Sequence, residues 1–245
     1  MSDTAEAMPK LKVLVTGPGG RIGPHLLPTF RAAYDLRVYD RQPIPDVPDA
    51  FVGDLQDAAL LRRAMEGVDV VLHLAAQADE APFVEVLVPN NVVGLYNTFQ
   101  AAHEAGVRRV VFASTVQTVA EYPPDYTVRA EDPPRPMTTY ACTKVLGEAL
   151  GRWYHDKHGL EFVVVRVGAF QPYDSPLLRA QQILREMWLS PRDAVGLFRR
   201  AIEKPNIGYA LVFGTSITER ERVSRQPMRD LLDFEPEDDV RALLS

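Results

Sequence analysis

The stretch that decides the fold is LKVLVTGPGGRIG, residues 11–23, in which a short apolar run leads directly into a glycine-rich turn. The apolar run has the composition of a buried parallel strand. Gly17, Gly20 and Gly23 follow in the spacing G-x-x-G-x-x-G, which allows a tight turn and the close approach of a pyrophosphate group to the backbone. Because a helix N-terminus presents free N–H groups and partial positive charge, the stretch predicts a phosphate-binding strand–turn–helix unit.

The residues that follow the turn favour a dinucleotide as the ligand. A helix is predicted over residues 21–33, and the next predicted strand, LRVYD, ends at Asp40. A carboxylate at this place accepts hydrogen bonds from a ribose 2′-hydroxyl and repels a 2′-phosphate. We therefore predict NAD, with NADP less favoured but left open by the neighbouring Arg41. In the structural alternative, Asp40 only caps its own loop.

Strands and helices alternate along the rest of the chain at the spacing of right-handed βαβ units. The fold class predicted from this alternation is α/β, a Rossmann-type doubly wound parallel sheet with a small C-terminal substrate-binding portion. Further strands are predicted over residues 50–52, 68–77, 108–115, 160–168 and 207–214, and further helices over 57–67, 83–106, 138–157, 191–203 and 238–244.

The domain organisation follows from the same pattern. We predict a disordered tail (1–9), an NAD-binding domain that carries the catalytic residues (10–168), and a substrate-binding portion with a returning helix and strand of the sheet (169–245). Residues 169–189 break the alternation and predict irregular structure that faces the substrate. Ser190 then has the form of a helix N-cap, with proline following it.

Composition excludes several classes of function. The 245 residues carry a net charge of −6, which argues against a nucleic-acid surface. No apolar run reaches the roughly 18 residues of a membrane span, and the first residues do not resemble a signal peptide. The single cysteine, Cys142, fits a reducing compartment, so we expect a cytoplasmic protein. No cluster of ligating residues predicts a metal site.

Tyr140 and Lys144 are the candidate catalytic pair. They lie four residues apart in a predicted helix, so both side chains project from one face. A nearby ammonium favours the phenolate and predicts a Tyr140 pKa lowered from about 10 toward neutrality, which would suit a general base. Thr115, at the end of the preceding strand, offers a hydroxyl to the substrate oxygen. The structural alternative is an ordinary surface Tyr–Lys pair.

At this point the sequence resembles the extended branch of the short-chain dehydrogenase/reductase superfamily, which is also described as the NAD-dependent epimerase/dehydratase family. Within that branch it is most similar to the group that contains uronate dehydrogenase and archaeal NAD-dependent glucose-6-phosphate dehydrogenase. The resemblance covers nearly the whole chain and rests on TGPGGRIG, GDL, HLAA, NVVGLYN, YACTK, LGRWYHDKHG, VRVG and MWLSPRD.

The resemblance implies a role for each matching residue. Tyr140 would be the base, Lys144 its activator and a ligand of the nicotinamide ribose, Thr115 the donor to the substrate oxygen, and Asn91 a support of Lys144 through a water. It also implies a homodimer formed through residues 83–106 and 138–157. The implied cofactor-binding residues are Gly17, Gly20, Arg21, Ile22, Gly23, Asp40, Asp54, Leu55, Leu74, Ala75 and Ala76, together with Asn91, Tyr140 and Lys144.

The sequence departs from that group where the sugar would bind. After the Ala-Ser at the end of this strand, the members of that group resemble one another in a Ser-Asn-His run that contacts the sugar. This chain has Thr115, Val116 and Gln117 instead. Ala78 and Ala169 also stand where polar side chains would hold a substrate. We therefore expect a less polar or differently hydroxylated substrate than uronate or glucose-6-phosphate. The predicted substrate-binding residues are Ala78, Thr115, Val116, Gln117 and Arg179, with Arg185 as a further candidate for gripping an anion.

Three functions are compatible with these residues. The favoured one is an NAD-dependent oxidoreductase that oxidises a secondary alcohol of a sugar, sugar acid or similar small polyol by hydride transfer, with tyrosine as the base. A nucleotide-sugar epimerase with tightly bound NAD is the first alternative, although only about 75 residues follow Gly168 to enclose a second nucleotide. The second alternative is a non-catalytic NAD-binding sensor, which would not need the intact Tyr–Lys–Thr set.

Overall fold

The structure is a computed structural model that describes residues 10–244. The predicted disordered tail, residues 1–9, therefore lies outside the described residues. The strands are β1 (Lys12–Thr16), β2 (Asp35–Asp40), β3 (Asp49–Val52), β4 (Val70–His73), β5 (Arg109–Thr115), β6 (Glu161–Val167), β7 (Ala169–Phe170), β8 (Trp188–Leu189) and β9 (Tyr209–Gly214).

A seven-stranded sheet in the order β3-β2-β1-β4-β5-β6-β9 forms the centre of the molecule, and all of its neighbouring strands pair in parallel. The central strands are buried on both faces, which explains why they read as continuous apolar runs rather than as alternating ones. The predicted doubly wound parallel sheet is confirmed. The chain reverses its direction of winding between β1 and β4, which is where ligands bind in such sheets.

Helices cover both faces of the sheet. They are α1 (Gly23–Ala33), α2 (Ala58–Met65), α3 (Gly94–Glu104), α4 (Thr139–His158), α5 (Pro176–Ala180), α6 (Gln182–Glu186), α7 (Pro191–Glu203), α8 (Gln226–Leu232) and α9 (Val240–Leu244), with a π-helix at Phe83–Val93 and a 3₁₀-helix at Val116–Val119. The apolar sides of α1 and α7 pack on one face, and those of α2, α3 and α4 pack on the other.

Two predicted elements differ from the observed ones near the switch point. The helix predicted over 83–106 is a π-helix up to Val93 and an α-helix only from Gly94, whose N–H bonds to the carbonyl of Pro89. The strand predicted over 68–77 ends at His73, because the chain then turns away from the sheet. Helix α1 likewise begins two residues later than predicted, since the glycine turn extends through Ile22.

The C-terminal portion is more regular than predicted. Residues 169–189 were expected to be irregular, but β7 and β8 form a small parallel pair, with α5 and α6 between them. The predicted start of α7 is confirmed, because Ser190 Oγ accepts a hydrogen bond from Asp193 N at 3.0 Å. Helix α8, which was not predicted, buries Met228 and Leu232 from an otherwise polar segment. Within residues 10–244, no helix combines the length and the hydropathy needed to cross a bilayer.

Candidate active site

A cavity of about 1040 Å³ opens at the carboxyl-terminal edge of the sheet, between the ends of β1 and β4. It brings together residues from the ends of β1, β2, β4, β5 and β6 and from the start of α4. Among those predicted to bind cofactor or substrate, its walls include Gly17, Gly20, Arg21, Ile22, Gly23, Asp40, Asp54, Leu55, Leu74, Ala75, Ala76, Ala78, Thr115, Val116, Gln117, Tyr140 and Lys144.

The glycine turn forms one wall, and two of its glycines cannot carry a side chain. Gly17 has a φ of +70°, and a Cβ on it would lie 2.5 Å from the Cα of Ala75. A Cβ on Gly23 would lie 2.0 Å from the carbonyl oxygen of Pro18. No side chain caps the N-terminus of α1 in the described chain, so its N–H groups and partial positive charge face the cavity. These features fit the pyrophosphate of a dinucleotide.

Asp40 holds the same turn in place. Its Oδ2 accepts a hydrogen bond from Gly19 N at 2.9 Å, and its Oδ1 accepts one from Gln42 N at 3.1 Å. Asp40 therefore does cap its own loop, as the structural alternative predicted. Each carboxylate oxygen can accept a second bond, and Asp40 lines the cavity, so the residue is also placed to accept a ribose hydroxyl.

The side chains of Tyr140, Lys144 and Thr115 come together at the far wall of the cavity. All three are at least nine-tenths buried. Lys144 Nζ lies 5.8 Å from the centre of the Tyr140 ring and 4.9 Å from that of Phe112. Its hydrogen bond goes to the carbonyl oxygen of Ala113 at 2.9 Å. The predicted pair therefore shares one helix face, but the ammonium is bonded to the main chain.

The prediction that Lys144 lowers the pKa of Tyr140 is wrong for the protein alone. Burial raises the pKa of the Tyr140 phenol above its ordinary value, and the negative charge of Asp79 raises it further. Burial also lowers the pKa of Lys144 to about 7, against the opposing effect of Glu148. Because desolvation outweighs the pairwise attraction at both groups, the protein by itself keeps the phenol protonated.

The side chain of Asn91 bonds directly to the loop after β4 and to α4, and its implied support of Lys144 through a water stays a prediction. Asn91 lies in the π-helix, where its Oδ1 accepts a hydrogen bond from Gln77 N at 2.8 Å and its Nδ2 donates to Gln77 O at 2.9 Å. The same Nδ2 donates to Thr143 Oγ1 at 3.2 Å. Asn91 therefore joins the loop after β4 to helix α4, and it fixes the shape of the cavity wall rather than lining it.

Two carboxylates beside Tyr140 were not singled out from the sequence. Glu80 accepts hydrogen bonds from Thr139 Oγ1 at 2.5 Å and from Tyr140 N at 3.2 Å, so it caps the first turn of α4. Its neighbour Asp79 accepts a hydrogen bond from Arg21 Nη2 at 2.7 Å. Both carboxylates line the cavity. No local sequence pattern predicts that a residue about sixty positions away caps a helix. Only the acidic pair Asp79–Glu80, shortly after the end of β4, could have indicated that these side chains have a role in the site.

A buried ion pair supports the helix that carries Tyr140 and Lys144. Glu148, one turn after Lys144, accepts hydrogen bonds from Arg166 Nε at 2.9 Å and Nη2 at 2.7 Å, and from Ser114 Oγ at 2.5 Å. The contacts join α4 to the ends of β5 and β6. Breaking one member of such a pair leaves a buried charge, so this network fixes the position of α4 against the sheet.

The two arginines predicted to grip an anion lie elsewhere. Arg179 is exposed in α5 and does not line the cavity. Arg185 is not in the wall either, because its Nε donates to Glu219 Oε1 at 2.9 Å and its Nη1 donates to Leu178 O at 3.1 Å. Among the described residues there is also no group of three or more His, Cys, Asp or Glu side chains that could hold a metal ion.

A doubly wound sheet, a glycine turn at its switch point and a Tyr–Lys pair on the neighbouring helix together define a dinucleotide-binding protein of the short-chain dehydrogenase/reductase type. The family described as the NAD dependent epimerase/dehydratase family matches residues 13–171. The chain belongs to this family, so the predicted family and its cofactor, NAD, are confirmed.

This chain is similar to named relatives over most of their length. The NAD-dependent glucose-6-phosphate dehydrogenase of Haloferax volcanii is 36% identical, over 92% of this chain and 93% of its own. A uronate dehydrogenase of Pseudomonas syringae pv. tomato is 34% identical, over 84% of this chain and 74% of its own. A mutant of the uronate dehydrogenase from Agrobacterium tumefaciens, solved in complex with NAD, matches 96% of this chain and 87% of its own, with a TM-score of 0.86 and 29% identity.

Proposed function

We propose that this protein is an NAD-dependent dehydrogenase that oxidises a secondary alcohol of a sugar-like substrate. The observation that carries the proposal is that Tyr140, Lys144 and Thr115, all buried, line the same cavity as the glycine turn. The names of the relatives, which are dehydrogenases of glucose-6-phosphate and of uronates, support the same reaction class.

The cofactor would lie along the glycine turn. Gly17, Gly20 and Gly23 leave room for its pyrophosphate, and Asp40 accepts a hydroxyl of the adenosine ribose. The walls on either side, formed by Arg21, Ile22, Asp54, Leu55, Leu74, Ala75 and Ala76, would enclose the rest of the molecule. Lys144, whose Nζ lies 5.8 Å from the centre of the Tyr140 ring, would bind the second ribose.

In the reaction, Tyr140 would accept the proton of the substrate hydroxyl while Thr115 donates a hydrogen bond to the same oxygen. NAD, when bound, supplies the hydride acceptor and a positively charged ring, which favours the phenolate by Coulomb attraction. The buried pair of Glu148 and Arg166 keeps α4, and with it the phenol, at a fixed distance from the end of β5.

Incubation with NAD and a panel of aldoses, uronates and polyols tests the proposal. Net formation of NADH identifies the dehydrogenase. Conversion of a nucleotide sugar without net NADH would identify the epimerase instead, and NAD binding without either change would identify a sensor. The Tyr–Lys–Thr set favours an enzyme over a sensor, and the names of the relatives, which are dehydrogenases, favour the first outcome over the epimerase.

Asp40 should determine the choice of cofactor. In the wild-type protein we expect a lower Michaelis constant for NAD than for NADP, because the carboxylate repels a 2′-phosphate. Asp40→Asn keeps an oxygen for Gly19 N but removes the charge, so its preference for NAD should fall by about tenfold. Steady-state kinetics with both cofactors measure this. A wild-type preference for NADP would defeat the assignment.

We propose a homodimer formed through α3 and α4. The outer sides of these helices and of the π-helix expose large apolar residues: Val93 is 41% exposed, Tyr96 48%, Leu146 37% and Trp153 46%. Their spacings of three and seven residues place each pair on one helix face. Sedimentation at micromolar concentration should give a dimer, and Trp153→Glu should give a monomer. A monomeric wild-type protein would refute the proposal.

A further inference from the structure

The part of the cavity next to Tyr140 has an apolar wall. This wall, called the substrate end here, is contributed by the 3₁₀-helix after β5, the residue before the α4 cap, and the segment between β7 and β8. Its large apolar members are Val116, Met137, Phe170, Ile183, Leu184 and Met187. Two amides from the same part of the chain, Gln117 and Gln171, also line the cavity, and their side-chain oxygens accept hydrogen bonds from Thr138 and Ser175. Ala78 and Ala169 add methyl groups to the same surface and bring no hydrogen-bonding side chain. A substrate that fits here must present an apolar surface of its own.

The charges at the substrate end are negative. Three cationic side chains line the cavity within residues 10–244: Arg21, Arg41 and Lys144. Arg21 is paired with Asp79, and Lys144 is buried with its ammonium on a main-chain carbonyl. Arg41 follows directly after β2, on the opposite side of the switch point from Tyr140.

Asp79 and Glu80, by contrast, line the cavity where α4 begins, at the turn of the helix that carries Tyr140. Glu80 accepts a hydrogen bond from the backbone of Tyr140, and the charge of Asp79 acts on the Tyr140 phenol. An anionic group on a bound substrate would therefore meet the Glu80 carboxylate, which is hydrogen-bonded to Thr139 and to the Tyr140 backbone rather than to a cation, beside an Arg21–Asp79 pair whose charges offset each other. Neutral hydroxyl groups are favoured at the same place, because they can donate hydrogen bonds to those carboxylates.

We propose that the substrate is an uncharged sugar with an apolar face, a 6-deoxy sugar being the simplest example, and that uronates and sugar phosphates are poor substrates. This inference rests on the proposed dehydrogenase function and deepens it. The relatives named above act on sugars whose sixth carbon carries a carboxylate or a phosphate, so the proposal separates this protein from them at that carbon.

Two series of sugars that differ only at the sixth carbon provide the test. D-Fucose, D-galactose, D-galacturonate and galactose-6-phosphate form one series; 6-deoxyglucose, glucose, glucuronate and glucose-6-phosphate form the other. We measure kcat/KM for each with saturating NAD. In the series that is oxidised, kcat/KM for the methyl and hydroxymethyl sugars should exceed kcat/KM for both anionic sugars by at least about tenfold. The methyl sugar should have the highest kcat/KM of the four.

A charge introduced at the substrate end supplies a second measurement. Ile183 is 46% exposed, so replacement by a charged residue is compatible with folding. Ile183→Arg should raise the ratio of kcat/KM for the uronate to kcat/KM for the neutral sugar by about tenfold. The matched control, Ile183→Gln, has a similar polar length without the charge and should leave the ratio between uronate and neutral sugar unchanged.

The outcomes distinguish this inference from the proposed function. NADH formation with a preference for the uronate or the phosphate overturns the inference and leaves the dehydrogenase proposal standing. If the wild-type protein prefers the hydroxymethyl sugar over the methyl sugar, the inference that the substrate presents an apolar face is wrong. If no sugar of either series yields NADH, the proposed sugar dehydrogenase function fails, and the inference fails with it.

Discussion

Replacing Tyr140 by Phe is expected to lower kcat by at least about a thousandfold while the dissociation constant for NAD changes by less than threefold. The phenol oxygen is the proposed proton acceptor, and loss of a positioned general base costs roughly 10²–10⁴-fold in rate. The ring itself stays, so the packing of a residue that is 8% exposed is kept. Steady-state kinetics and calorimetric titration with NAD measure the two quantities.

Tyr126→Phe is the matched control. Tyr126 is 41% exposed in the loop between the 3₁₀-helix and α4, it bonds to Asp132, and it does not line the cavity. Loss of its hydroxyl should leave kcat within twofold of the wild-type value. If Tyr140→Phe retained more than a tenth of the wild-type turnover, the role of Tyr140 as the base would be wrong, whatever the cofactor affinity.

Gly17→Ala should have the second largest effect, a loss of more than tenfold in NAD affinity together with a clear fall in stability. Two costs add at this position. The left-handed backbone conformation costs roughly 1 kcal/mol or more for any residue with a Cβ, and the new Cβ would lie 2.5 Å from the Cα of Ala75. That contact is with backbone, so relief requires the ends of β1 and β4 to move apart.

Gly67→Ala separates these two costs. Gly67 has a φ of +68°, close to that of Gly17, but nothing lies within 4 Å of the position its Cβ would take. This variant should lose only about 1 kcal/mol of unfolding free energy and keep its affinity for NAD. Chemical denaturation and NAD titration of both variants provide the comparison. Equal behaviour of the two would show that the approach of Gly17 to Ala75 has no role in binding.

The features that could be predicted are those encoded by local spacing. The glycine turn, the strand that ends at Asp40 and the Tyr140–Lys144 pair are each contained in a short stretch, so their residue types and spacing indicate their structure directly. The order of the βαβ units follows from the alternation of strands and helices, and the structure has the predicted sheet.

The features that could not be predicted depend on contacts between distant segments. Glu80 caps α4 across about sixty residues, and the side-chain oxygen of Asn91 accepts a hydrogen bond from the backbone of Gln77. The pKa of Tyr140 was predicted in the wrong direction because the depth of burial, which decides it, is a property of the whole fold. Arg179 was selected for its charge, but no pattern shows which way an exposed side chain points.

Asp40 has a structural role in the loop as well as a proposed role in cofactor binding, and this limits how the choice between NAD and NADP can change in evolution. The same carboxylate accepts hydrogen bonds from the amides of Gly19 and Gln42 and lines the cavity, so both the loop conformation and the choice of cofactor depend on this one side chain. A lineage that adopted a 2′-phosphorylated coenzyme would still need a hydrogen-bond acceptor for the Gly19 amide at this position. We therefore expect asparagine to be tolerated there as a single substitution, and side chains without an oxygen to require a compensating substitution in the loop.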